Sequence, residues 1–157
     1  MKKIAILLMV ASVFVSCATS KTVRVSKKTI KGNWTLSTIT YSESGTYNIS
    51  LLDDATQACF EGSSWQFTPN NNTGIYNINN AACSTGDRHF IFTIQEVDPE
   101  TGLYDFLLKP TNAKGKSVTN SGYRMRLSQL SDTTMQWQQT VNVEGKPFVI
   151  TMNYNKF

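Results

Sequence analysis

The chain has 157 residues, with 15 Lys and Arg against 11 Asp and Glu for a formal net charge of +4, and 40% hydrophobic residues. Two of the lysines stand in the first three positions, so the 141 residues beyond position 16 carry 13 basic and 11 acidic side chains. That balance argues against a nucleic-acid partner, and the length suits one domain that buries roughly 68% of its unfolded surface.

The chain opens with Lys2 and Lys3, an apolar run over residues 4–15, small Ser16 and then Cys17. This is the layout of a secretory signal, and the run is shorter than the roughly 20 residues a membrane span needs. "FVSC" resembles the lipobox of bacterial lipoproteins, in which the cysteine becomes the new N-terminus and carries acyl chains such as palmitate. The resemblance implies removal of residues 1–16, lipidation at Cys17 and anchoring in the cell envelope, against an ordinary signal peptide as the alternative. Ala18, in place of the Asp that holds some of these proteins in the inner membrane, favours the outer membrane facing the periplasm. Three acyl chains exceed the two signals that stable anchoring takes.

Residues 17–31 form a basic tether, with Lys21, Arg24, Lys27, Lys28 and Lys31 and no acid. It either lies on anionic headgroups or serves as a solvated spacer.

From position 32 the apolar runs are short, alternate with period two and are separated by Asn, Gly, Asp or Pro, the pattern of a sandwich or barrel. "NWTLSTITY", "SSWQFTP" and "IYNIN" come first, the last two joined by "NNNTG" as a hairpin. "RHFIFTIQEV" and "LYDFLLK" flank "DPETG"; "GYRMRLSQL", "MQWQQTVNV" and "FVITMNYNKF" follow. Eight strands close a barrel that is either filled or wide enough for one small ligand. The exception is "SLLDDATQACFEG", read as a short helix after the first strand, capped by Asp53 or Asp54 and stopped at Gly62. With Cys17 lipidated, Cys59 and Cys83 remain as a pair suited to a disulfide, the alternative being two buried thiols.

Alternation directs Phe90, Phe92 and Ile94, then Tyr104, Phe106 and Leu108, Tyr123, Met125 and Leu127, Met135, Trp137 and Val141, and Phe148, Ile150 and Met152 inward. Trp34, Trp65 and Phe67 join them. Gln129 and Gln139 fall on the same face, as polar contacts for a ligand or as rim positions. Arg124, Arg126, Asp105 and Lys109 take the wet face.

Gly32-x-Trp34 at the start of the first strand resembles the GxW signature of lipocalins, and with the strand count and the lipobox the chain is similar to a bacterial lipocalin-like lipoprotein over residues 32–157. The resemblance implies a single antiparallel up-and-down barrel. It also implies a Trp34 packed across the closed end, covered by Lys156 where the family commonly has Arg, and a small apolar ligand inside. Candidate lining residues are Trp65, Phe67, Phe90, Phe92, Tyr104, Phe106, Tyr123, Met125, Trp137, Gln139, Phe148 and Ile150.

Catalytic chemistry is hard to place. The single histidine, His89, points away from Phe90 and has no second histidine or spare cysteine to complete a metal site. Glu96, Asp98 and Glu100 gather at one turn but fall short of the six to eight oxygens calcium takes. The expectation is a protein that is no enzyme and needs no cofactor or metal. Two roles stay open: a binder of a small hydrophobic ligand, or a filled barrel that binds an envelope protein as an inhibitor or assembly factor. The second gains from the bulk of the aromatic residues, each burying roughly 150–250 Å².

Overall fold

The computed structural model describes residues 20–98 and 103–157. The signal-like stretch with Cys17, and Glu100 in the carboxylate turn, fall outside them.

The order along the chain is α1 (Lys21–Ile30), β1 (Gly32–Tyr41), β2 (Ser50–Leu51), β3 (Ala55–Thr56), α2 (Gln57–Phe60), β4 (Ser64–Thr68), β5 (Thr73–Ile78), β6 (Gly86–Asp98), β7 (Leu103–Thr111), β8 (Tyr123–Leu130), β9 (Thr134–Val143) and β10 (Lys146–Lys156). Eight strands close an antiparallel barrel in the order β1-β10-β9-β8-β7-β6-β5-β4, and β2 and β3 form a separate ribbon. Closure is made where β1 meets β4, with Trp34 opposite Trp65. The expected all-β, eight-stranded barrel is therefore present. The period-two alternation produces it: Trp65 and Phe67 on β4, Phe90, Phe92 and Ile94 on β6, and Phe148, Ile150 and Met152 on β10 are all buried, while their neighbours in sequence are more exposed.

Three departures from the sequence reading have local causes. Residues 21–30, within the stretch read as a basic tether, are a helix laid across one end of the barrel. Ser20 caps it, its side chain accepting from the Val23 amide at 3.2 Å. Val23, Ser26 and Ile30 form its buried stripe, and burying Val23 and Ile30 contributes about 1.5–3 kcal/mol apiece. Second, neither Asp53 nor Asp54 caps a helix. Leu52 and Asp53 both have φ of 52°, the left-handed pair of a tight hairpin turn. This turn joins β2 to β3, and the Asp54 amide donates to the Leu51 carbonyl. The helix, α2, is a single turn after Thr56. Third, the pairing of β8 with β9 slips between Leu127 and Gln129. This bulge turns Gln129 to the outside, opposite Gln136, and brings Leu130 opposite Met135.

The barrel has two different ends. At the closed end, α1 lies beneath Trp34, whose Nε1 donates to the Ile30 carbonyl at 2.8 Å. Lys156 Nζ stands 5.0 Å from the centre of the Trp34 ring and donates to the Thr29 carbonyl at 2.7 Å. Lys156 thus covers the tryptophan as the family resemblance implied. At the other end, the mouth, the β2–β3 hairpin folds over the opening and buries Leu51 and Leu52. The Cys59–Cys83 disulfide joins α2 to the β5–β6 loop.

Candidate functional site

Nearly all of the expected interior residues come together, but they line one another rather than a cavity. Trp65 stacks on Tyr76 at 4.4 Å and meets Trp137 and Tyr154 edge-on at 5.5 and 5.6 Å. Phe106 stacks on Trp137 at 4.5 Å and on Phe92 at 5.1 Å. Phe67 meets Phe90, Phe92, Phe106 and Trp137 at 5.6 to 6.0 Å. Since β7 and β9 each lie three strands from β4 around the barrel, the contacts of Trp65 with Trp137 and of Phe67 with Phe106 cross the interior. Met125 and Ile150 are 1% exposed and Phe148 2%. Tyr104, Tyr123 and Gln139 are half-buried, Tyr104 toward the closed end, Tyr123 at the mouth, and Gln139 opposite Ile150 near the mouth.

The sequence reading did not put Tyr76, Tyr154 or Phe60 in this core. Alternation would have found the first two, since Tyr76 shares a face with Ile78 and Tyr154 with Met152. Two donors within the core, Trp137 Nε1 and the Tyr154 hydroxyl, have no hydrogen-bond partner among the described residues.

The polar chemistry lies at the mouth. Asp54 Oδ2 accepts from the Tyr76 hydroxyl at 2.8 Å and from Arg88 Nε at 2.6 Å. Arg88 also donates to the Gly86 and Ser84 carbonyls. Across the opening, Asp53 Oδ2 accepts from the Tyr123 hydroxyl at 2.8 Å. The hairpin is thus latched to β5, β6 and β8. Burial, followed by the Asp54 hydrogen bond and charge, pushes the Tyr76 phenol far above its usual value. Burial and then Asp53 push Tyr123 up to about 12. Both phenols keep their protons at neutral pH and act as donors.

A cleft of about 530 Å³ runs beside this latch, between the hairpin and the β7–β8 loop. Tyr76, Arg88, His89 and Tyr123 form its floor, and Val118 and Thr119 its outer lip. His89 therefore lies half-buried on the cleft wall, facing away from Phe90. Among the described residues, no three His, Cys, Asp or Glu side chains are grouped to hold a metal ion. The cleft offers hydrogen-bond donors, carboxylates and an apolar lip.

No family model matches the sequence, and no curated protein is similar to it. Among solved structures, a lipocalin-like protein from Bacteroides uniformis superposes with a TM-score of 0.51 at 8% identity, covering 82% of this chain and 99% of that one. An uncharacterized protein from Bacteroides eggerthii has a TM-score of 0.48 at 11% identity, covering 81% and 98%. The first likeness is one of fold, and the barrel of this chain is lipocalin-like.

Proposed function

We propose that the protein is a non-enzymatic binding module of the bacterial cell envelope, anchored to the outer membrane through Cys17, that engages a partner protein at the lidded mouth of a filled barrel. The anchor is supported by the signal-like start and "FVSC". The observation that carries the binding mode is the set of ring contacts crossing the barrel. A ligand inside would have to displace buried side chains that already touch across the barrel, whereas the mouth presents a ready cleft whose lip is exposed. Interfaces favour such a mixture, with aromatic and Arg groups set in a polar rim.

A second reading, a small ligand with an acceptor group inside the barrel, has its support in the lipocalin-like fold and in the two unpartnered donors, Trp137 Nε1 and the Tyr154 hydroxyl. Such buried donors are the ones an acceptor would satisfy.

The test is site-specific photo-crosslinking in cells, with the photoreactive residue placed at Thr119 on the lip or at Gln66 on the barrel wall. Adducts of one defined size from Thr119 and none from Gln66 are expected. Equal crosslinking from both positions, or none from Thr119, contradicts the reading.

A further inference from the structure

Helix α1 divides its surface in two. Val23, Ser26 and Ile30 are buried against the closed end of the barrel, whereas Lys21, Arg24, Val25 and Lys28 are exposed. With 3.6 residues per turn, the three cations fall within about 60° of one another, opposite the buried stripe. Val25, 55% exposed, lies beside them, and Lys31 follows directly after the helix. Lys27 is different: it turns toward the barrel and donates to Asn72 Oδ1 at 2.6 Å. None of the four outward cations, Lys21, Arg24, Lys28 and Lys31, is in an ion pair among the described residues. The first acidic residue of the whole chain is Glu43. At this end of the barrel Asp132 lies in the β8–β9 turn rather than on the helix.

Position matters as much as charge. Cys17 precedes Lys21 by four residues, and an extended chain spans at most about 3.6 Å per residue, so the helix begins within about 14 Å of any lipid on that cysteine. A cationic face with one apolar side chain, held rigid by its packing on a barrel, is complementary to an anionic headgroup layer.

We propose that the outer face of α1 docks on anionic phospholipid headgroups of the membrane that carries the anchor. The barrel then stands on its closed end, with the mouth and its cleft directed away from the bilayer. The choice of membrane rests on the Cys17 reading, but the chemistry of the face does not. Packing against the barrel fixes the orientation, which a solvated tether would leave free.

The test uses an unlipidated chain beginning at Ala18, which retains every described element, including the capped helix and the disulfide. It is sedimented with vesicles of phosphatidylcholine alone or mixed with phosphatidylglycerol. Binding is expected only to the mixed vesicles, and it should weaken as salt is added. Each of Lys21→Gln, Arg24→Gln and Lys28→Gln should lower the partition coefficient by roughly fivefold, the worth of one cation near such a surface. Lys27→Gln, on the inward side, should change it little. Equal binding to both vesicles overturns the proposal, as does binding unaffected in the triple variant while its thermal midpoint matches wild type. Membrane fractionation of Cys17→Ser in cells separates the two readings. If that variant is released and the soluble chain ignores phosphatidylglycerol, the anchor stands and the docking face falls. If the soluble chain binds the mixed vesicles and Cys17→Ser fractionates as wild type does, the docking face stands and the anchor falls.

Discussion

Gly74 reports how tightly the interior is filled. It faces inward on β5, between Phe67 of β4 and Phe90 of β6. A Cβ placed on it would stand 2.2 and 2.6 Å from two atoms of the Phe90 ring and 2.8 Å from the Gln66 carbonyl oxygen. In effect the Phe90 ring occupies the place of the missing side chain. It has little freedom to leave, because Trp65, Phe67, Tyr76 and Phe92 surround it at 5.6 to 6.2 Å. The backbone carbonyl is fixed by the β4–β5 pairing. Overpacking costs about 1–3 kcal/mol, and with both neighbours held, Gly74→Ala belongs at the upper end. For a domain of this size, that is a fall in Tm of roughly 10 °C. Thermal and urea unfolding of Gly74→Ala, Phe90→Leu and the double variant measure it. Phe90→Leu alone destabilises by opening space, but with Gly74→Ala it should cost less, a favourable coupling of about 0.5–3 kcal/mol. An unchanged midpoint in Gly74→Ala, or strict additivity in the double variant, would refute the reasoning, because the ring would then have room to move aside.

Raising the pH should weaken the fold through Tyr123: the stability due to its protonated phenol is fully present below the ordinary value of 10.0 and is lost as pH rises through about 12. Tyr123→Phe should show a smaller alkaline loss in urea titrations, and an identical loss in both proteins argues against the Asp53 latch. Reducing Cys59–Cys83, which are 24 residues apart, should lower the stability by about 3.5 kcal/mol on the chain-entropy account; equal urea midpoints with and without reductant contradict this. Cys17→Ser should move the protein from the membrane fraction to the soluble one or leave an uncleaved precursor, and unchanged fractionation and migration argue against the anchor.

The barrel was legible because alternation is a local signal repeated eight times, and each hairpin agreed with the next. The disulfide was legible as a count, two cysteines left once Cys17 is assigned to lipid. The helix α1 was hidden because one of its three buried positions is Ser26, which breaks the apolar stripe, and because five basic residues within 11 positions look like a solvated segment. Gln129 was misplaced since a bulge reverses the two faces, and Ser128 gives no sequence sign of one. The mouth was the least legible part. Its bonds join residues 22 to 70 positions apart, Tyr76 to Asp54 and Tyr123 to Asp53, so no spacing along the chain announces them. Asp53 and Asp54 were also read locally as helix caps, whereas the hairpin turn frees both carboxylates to reach across the barrel.

The central claim is that this lipocalin-like barrel is filled by its own side chains and binds at its mouth. The most direct measurement is a titration of tryptophan emission with a series of fatty acids and sterols, since Trp34, Trp65 and Trp137 are all buried within the barrel and any guest would lie against at least one indole. The account predicts no saturable change with any of these compounds. Saturable binding that is weakened when bulk is added to the core by Phe106→Trp would contradict it and put the ligand inside the barrel.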